Sequence, residues 1–328
     1  MKRLVNIFTE QLEEALLIGP KTKLNPCSAS INNVVITGLG GSGIGGKIAT
    51  QLVSEKLSIP VTINNEYSLP GFVNENTLVI VSSFSGNTEE TLEALKIAQE
   101  KKAEIACITS GGKLAEIAKE NNYNLLVLPL AFSPRAMLTY SVIQQFFLLS
   151  HYNLIDNSFI EDTKNTIALL NREVDEIKDL AHQTALALNS KTAVIYIESA
   201  LEGVAVRMRQ QINENAKSLG WHHVIPEMNH NELVGWAGGK EEYAVVMLRS
   251  SYEHYRSSVR MDISKGIIEK YTSTLVEVKA KGQSKIEQAF YHILFGDWTS
   301  VFLAELNKVD DVEVKVIDYL KSELAKIE

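Results

Sequence analysis

The stretch Thr77-Leu78-Val79-Ile80-Val81-Ser82-Ser83-Phe84-Ser85-Gly86-Asn87-Thr88-Glu89-Glu90-Thr91 decides how the chain is read. Leu78 to Val81 make an unbroken apolar run, the pattern of a strand buried on both faces. The composition then changes abruptly to hydroxyls around one glycine, with Ser82, Ser83, Ser85 and Thr88 about Gly86. Glu89 and Glu90 open an amphipathic helix carrying Leu92, Leu95 and Ile97. Such a strand-to-helix turn gathers backbone N–H groups, the positive end of a helix dipole and small hydroxyls about one point. That combination suits a phosphate dianion. Simple N-capping accounts for a single hydroxyl; four hydroxyls around a glycine favour the anion site.

The same alternation continues on both sides. Val34-Val35-Ile36 reads as a strand ending in Thr37-Gly38-Leu39-Gly40-Gly41-Ser42-Gly43-Ile44-Gly45-Gly46, with a helix to about Glu55. Val61-Thr62-Ile63, Ile105-Ala106-Cys107-Ile108 and Leu125-Leu126-Val127-Leu128 are further strands, and Met137 to Leu149 is an apolar helix. His151 to Asn157 reads as a boundary, giving an N-terminal unit over 1–153 and a C-terminal unit over 154–328. A long helix from Ile160 to Leu188 leads into strands at Val194–Ile197, Ala244–Leu248 and Leu275–Val278. Helices are expected near 203–218, 253–271, 285–306 and 312–327. Strands alternating with helices of this length make an α/β chain of two doubly wound units, each a mostly parallel sheet flanked by helices. Ligands of such sheets bind beyond the carboxyl ends of the strands, where both the glycine turn and the hydroxyl turn lie.

The totals narrow the class. At 328 residues with 45% hydrophobic and 22% charged, the chain buries a sizeable core. A net charge of −8 without a basic stripe argues against nucleic acid as a partner. One phosphorylated metabolite needs only local positive potential. Cys27 and Cys107 sit in unrelated contexts, as expected in a reducing compartment. Acidic and polar residues interrupt the N-terminal apolar pattern, which reads as an amphipathic helix rather than a signal peptide. No apolar run approaches the roughly 20 residues needed to span a bilayer. The expectation is a soluble, cytoplasmic protein with no membrane partner.

Gly38-Leu39-Gly40-Gly41-Ser42-Gly43 satisfies the dinucleotide pattern G-x-G-x-x-G, with Glu66 as a ribose-binding acid after the second strand. Two features oppose that reading. Ser42, Gly45 and Gly46 exceed what a pyrophosphate turn requires, and the turn from Ser82 to Thr88 is left without a task. A mononucleotide P-loop is excluded because no Gly-Lys-Ser/Thr follows at the proper spacing.

Gly40-Gly41-Ser42-Gly43 together with Ser83-Phe84-Ser85-Gly86-Asn87-Thr88 resembles the sugar isomerase (SIS) domain. Further on, Phe132-Ser133-Pro134-Arg135-Ala136, Asn213-Glu214-Asn215-Ala216-Lys217 and Glu227-Met228-Asn229-His230-Asn231-Glu232 resemble the bifunctional phosphoglucose/phosphomannose isomerase family, over nearly the whole length. The resemblance implies two SIS-type subdomains and a homodimer working without metal or cofactor. It implies reversible conversion of glucose 6-phosphate and mannose 6-phosphate to fructose 6-phosphate through a cis-enediolate.

That chemistry needs a phosphate anchor, help with ring opening, a base between C1 and C2, and positive charge for the enediolate. Gly41, Ser42, Ser83, Ser85 and Thr88 are the expected anchor. Glu214 is the expected base. It lies about 200° round the helix from Ile212 at ~100° per residue, on the face of Arg207 and Gln211. That face meets solvent or lines a polar cleft, and the resemblance points to the cleft. Partial burial suits such a base because it raises a carboxyl pKa.

His230 sits in a polar loop with no capping logic of its own. By resemblance it assists ring opening from the partner subunit, which suits an imidazole. Arg135, after Pro134 and a strand end, is placed to steady an oxyanion. Lys321 matches a near-terminal family lysine expected near the ring oxygen, with Lys315 and Lys326 close by in sequence. His222, His223 and His230 have no metal-ligand spacing, and no metal is expected. The rival from another class is a non-catalytic phosphosugar sensor, which would keep Ser83, Ser85 and Thr88 but need neither Glu214 nor His230.

Overall fold

The computed structural model describes residues 1–27, 30–131 and 133–327. They form two compact units, one of residues 6–172 and 282–290, the other of residues 1–5, 173–281 and 291 onward. The division falls inside two helices, Ser158–Leu188 and Lys285–Asn307. Each unit holds one all-parallel sheet. Among the described residues no helix is long and apolar enough to cross a membrane.

The sheet of the first unit has strands β1 (Asn33–Thr37), β2 (Val61–Asn64), β3 (Thr77–Ser82), β4 (Glu104–Thr109) and β5 (Asn124–Val127), in the order β2-β1-β3-β4-β5. All six residues of β3 are buried, as its unbroken apolar run requires. Ile36 of β1 lies opposite Ile63 on one side and Ile80 on the other. The chain leaves β1 for β2 on one side and returns to β3 on the other, so the topological switch lies between the carboxyl ends of β1 and β3. Val79, Val81 and Cys107 pack in one buried cluster with Leu95, Leu114 and Ala118 from the covering helices.

Gly45 and Gly46 have a packing task. A Cβ on Gly45 would sit 2.2 Å from Ser141 Oγ in helix Leu138–His151, and one on Gly46 would sit 2.7 Å from Ile36 Cγ2. The glycines beyond the turn let helix Gly40–Leu52 approach its neighbours closely.

In the second unit the strands are β6 (Thr192–Glu198), β7 (Gly220–Ile225), β8 (Tyr243–Arg249) and β9 (Leu275–Lys279), ordered β7-β6-β8-β9. The sequence reading anticipates all but β7. That strand lies at the sheet edge and is half-buried for all but its last residue, so Trp221-His222-His223-Val224 carries no unbroken apolar run.

Helix Glu202–Ala216 corrects another expectation. Arg207 and Gln211, read as facing solvent or a cleft, are buried. The Arg207 guanidinium donates from Nε and Nη2 to the two Asp297 oxygens at 3.1 and 2.9 Å, and Asn215 Nδ2 donates to Ser300 Oγ at 2.9 Å. Helix Lys285–Asn307 brings both partners, and no periodicity count announces a polar helix–helix seam.

The same helix buries His292, whose Nε2–H donates to the Arg249 carbonyl at 2.9 Å. Among the described residues its Nδ1 has no partner. Burial pushes its pKa down from 6.5 to about 4. Between those values the unfolded chain takes up a proton that the folded chain refuses. The stability from the neutral ring is therefore complete above pH 6.5 and lost as pH falls toward 4. Urea unfolding should show wild type losing about 2 kcal/mol more than His292→Gln between pH 7 and pH 4.5. Equal losses would remove this role.

Candidate active site

The glycine turn and the hydroxyl turn meet at the switch point. Helix Gly40–Leu52 starts after Leu39, and helix Glu89–Glu100 starts after Thr88; neither start carries a side-chain cap. The Thr88 hydroxyl instead pairs with Ser83 Oγ at 2.8 Å. Simple capping therefore does not account for the hydroxyls. Ser83, itself buried, also accepts the Gly86 N–H at 3.1 Å, while Ser85 Oγ accepts the Asn87 N–H at 3.3 Å. Ser42 Oγ accepts the Phe84 N–H at 3.2 Å, tying one turn to the other.

A third turn braces the second. Ser110 N–H and Oγ–H both donate to the Phe84 carbonyl, at 3.0 and 2.6 Å, and Leu114 N–H donates to the Gly86 carbonyl at 2.9 Å. Gly86 makes this approach possible: its φ is +70°, and a Cβ there would lie 1.8 Å from the Gly111 carbonyl oxygen.

Arg135 joins this cluster. It lies in the short helical turn Pro134–Ala136 and is 8% exposed. Gly41 lies against this turn: a Cβ there would be at ordinary contact distance, 3.6 Å from the Pro134 carbonyl and 3.8 Å from Arg135 Cα. Gly41, Ser42, Ser83, Ser85, Thr88 and Arg135 thus lie on neighbouring turns of the first unit. Phe132, the first residue of the Arg135 motif, lies outside the described residues. At the end of β2 the Asn64 and Asn65 amides bond Thr37 Oγ1 and the Gly38 carbonyl, whereas the Glu66 side chain is exposed.

Glu214, His230 and Lys321 belong to the second unit. Glu214 is half-buried in the last turn of helix Glu202–Ala216. The helix stops at Lys217, in the left-handed conformation with φ 53°. The Lys217 ammonium donates to the carbonyls of Glu214, Asp310 and Glu313 at 2.7, 2.6 and 2.8 Å. It thereby fastens the turn that carries Glu214 to the segment before helix Lys315–Leu324. Between them opens a cleft of about 380 Å³ lined by Glu214, Leu219, Val314, Lys315, Val316 and Ile317, among others. Glu214 therefore does line a cleft, with apolar walls. Lys315 lines it too; Lys321, further along the same helix, is exposed and does not.

His230 ends the short helical turn Glu227–His230 and is exposed. Its loop does have capping logic, contrary to the sequence reading: Asn231 Oδ1 accepts the Glu232 N–H at 2.6 Å. His222 Nε2 lies 3.6 Å from Glu202 Oε1, and His223 Nδ1 accepts the adjacent Val224 N–H at 2.7 Å. Among the described residues no three His, Cys, Asp or Glu side chains are placed to hold a metal ion.

Comparison with known proteins supplies the family. A bifunctional phosphoglucose/phosphomannose isomerase from Caldicellulosiruptor bescii is 40% identical over 97% of this chain and 97% of its own length. The chain belongs to the bifunctional phosphoglucose/phosphomannose isomerase family. A member from Aquifex aeolicus is 34% identical over 89% of this chain and 90% of its own. Residues 29–152 match the SIS domain, and residues 177–324 match the bacterial phospho-glucose isomerase C-terminal SIS domain. The hydroxyl turn and Arg135 fall in the first match; Glu214, His230 and Lys321 fall in the second. The C-terminal domain of glucosamine-fructose-6-phosphate aminotransferase from Francisella tularensis shares the fold at TM-score 0.76, covering 96% of this chain and 97% of that one at 12% identity. Membership of a phosphoglucose/phosphomannose isomerase family sets aside the dinucleotide reading of Gly38 to Gly43.

The bracing of the hydroxyl turn has a direct test. Gly86→Ala forces both a strained φ and a clash with Gly111, and should destabilise the first unit by about 1–3 kcal/mol. Thermal unfolding checks this, and an unchanged melting temperature would refute it.

Proposed function

We propose that the chain interconverts glucose 6-phosphate, mannose 6-phosphate and fructose 6-phosphate by proton transfer through a cis-enediolate. The observation that carries this reading is 40% identity, end to end, with a relative named for both activities. The site chemistry supports it. Two helix starts without side-chain caps, the Ser42, Ser83, Ser85 and Thr88 hydroxyls and the backbone at Gly41 offer donors to a phosphate dianion. The local field serves a chain of net charge −8, since the dipoles and Arg135 act at close range.

In this reading Gly41, Ser42, Ser83, Ser85 and Thr88 hold the phosphate end of the sugar. His230 and Lys321 open the ring, removing the proton from the C1 hydroxyl and giving one to the ring oxygen as the C1–O5 bond breaks. Glu214 then takes the C2 proton and returns it to C1 as the O2 hydroxyl proton passes to O1, while Arg135 stabilises the negative charge on the enediolate oxygens. Protonation at C1 gives the ketose, and no electrons leave the sugar. The reaction therefore needs no redox cofactor, and we take it to need no metal. The enzyme acts as a homodimer in which His230 reaches the partner's site, and its setting is the cytoplasm.

Fructose 6-phosphate formation from each aldose, in EDTA, tests this. Glu214→Gln should lower kcat by about 10²–10⁴-fold with little change in KM. A fully active Glu214→Gln removes the base assignment. A folded wild type that turns over neither sugar favours the phosphosugar sensor instead. Ser83→Ala with Thr88→Val should act on KM more than on kcat, because an anchor binds ground and transition states alike. Lys321→Ala should slow turnover while Lys315→Ala spares it; the reverse result would transfer the role to the lysine that lines the Glu214 cleft. Mixing Glu214→Gln and His230→Ala subunits should restore activity if the site is shared.

A further inference from the structure

The loop that carries His230 lies over β6, β7 and β8 of the second sheet, and its fastening is unequal along its length. Before the histidine, Met228 is fully buried and the Asn229 amide donates to Ser264 Oγ at 2.8 Å. After it, packing is incomplete. A cavity of about 190 Å³ lies against the loop, lined by Trp221, Glu232, Gly235, Trp236, Gly239 and Tyr243, among others. Polar contacts there add to the edge-on packing of Trp221 and Trp236 against Tyr243. The Trp221 indole donates to Glu232 Oε1 at 3.0 Å, and the Tyr196 hydroxyl donates to the same oxygen. Trp236, further along the loop, donates its indole N–H to the Tyr196 oxygen at 2.9 Å.

These donors are rigid. Tyr196 and Trp221 lie on adjacent strands β6 and β7, and the Tyr196 side chain is fully buried in the core cluster with Met228 and Trp236. Burial, reinforced by the bond to Glu232, keeps its hydroxyl protonated and so a donor. Glu232 is two residues past His230, and Asn231 between them uses its side chain both to accept the Glu232 N–H and to donate to Glu227 Oε1 at 2.8 Å. A displacement of the Glu232 carboxylate therefore passes to His230 through a short, internally bonded segment.

We infer that Glu232 is a positioning residue for His230, locating the exposed imidazole by the fixed reach of Tyr196 and Trp221. The inference rests on the ring-opening role of His230 proposed above and adds a residue to it. Glu232 touches no substrate; it acts through where the histidine stands. A misplacement of about 1 Å at a reacting group lowers rates by about 100-fold.

A double-variant cycle on the full-length chain separates this from a purely structural role, with glucose 6-phosphate as substrate. Glu232→Ala should lower kcat about 100-fold while KM stays within about threefold of wild type. Glu232→Gln, which keeps an oxygen for the two donors, should recover most of the loss. Combined with His230→Ala, Glu232→Ala should add less than about a twofold further loss, because a histidine that is absent cannot be misplaced. A double variant in which the two losses multiply overturns the inference, as does a Glu232→Ala enzyme with wild-type kcat beside an impaired His230→Ala. A His230→Ala enzyme as fast as wild type overturns the role of His230 and this inference with it, and that failure shows in the single variant. Where Glu232→Ala does not fold, Tyr196→Phe removes one of the two donors and carries the same cycle.

Discussion

The first unit depends on one geometric constraint: two helices must begin side by side at the carboxyl ends of β1 and β3 with no side-chain cap on either. Orphan N–H groups at a helix start are costly unless something satisfies them. In most helices a Ser, Thr, Asp or Asn at the N-cap does so. Here Thr88 occupies the N-cap but turns its hydroxyl to Ser83, and Leu39 has none to offer. The Ser42 to Phe84 bond, the Ser110 bonds to Phe84 and the close approach at Gly86 hold the turns in place regardless. Donors held in that way are preorganised for an anion, since the reorganisation has been done by folding.

The second unit meets a different demand, which is to fix a carboxylate at the end of a helix. Arg207 and Asp297 face each other in the buried seam one to two turns before Glu214. Burial pushes the Asp297 carboxyl upward, and the guanidinium beside it pulls it back down. A pair of this kind is weak evidence for stability, because desolvating both charges offsets much of their attraction. Its geometry is nevertheless exacting: a bidentate contact admits one rotation of the helix about its axis. Beyond it, Lys217 closes the helix in the left-handed conformation and bonds to Asp310 and Glu313. The helix that bears Glu214 is therefore set in rotation by one cation and in end position by another.

The two units illustrate two ways of holding a functional group still. In the first, the hydroxyls proposed to hold the phosphate also bond to one another and to the backbone, so the framework and the proposed anchor are the same atoms. In the second, Glu214 and His230 are displayed by residues that stand behind them. The His230 loop is held by the buried Met228 and Trp236, with an open pocket beside part of it and hydrogen bonds from β6 and β7 to Glu232.

The sequence by itself determined the α/β class, the five strands of the first sheet and three of the four in the second. Buried parallel strands must be continuous apolar runs, and such runs are visible without coordinates. It also determined the hydroxyl turn, because hydroxyls and a glycine between strand and helix are a local pattern, and the motifs about Glu214 and His230 disclosed the family. Tertiary structure decided the rest. Strand β7 escaped because an edge strand is only partly buried and its residues are mixed. The burial of Arg207 escaped because its partner stands ninety residues away, on a helix whose own polar positions look like a solvated face. The tasks of Gly45, Gly46 and Glu232 escaped for the same reason: each is set by what lies across the gap, at Ser141, Ile36 and Tyr196, and periodicity along the chain carries no information about contacts across it.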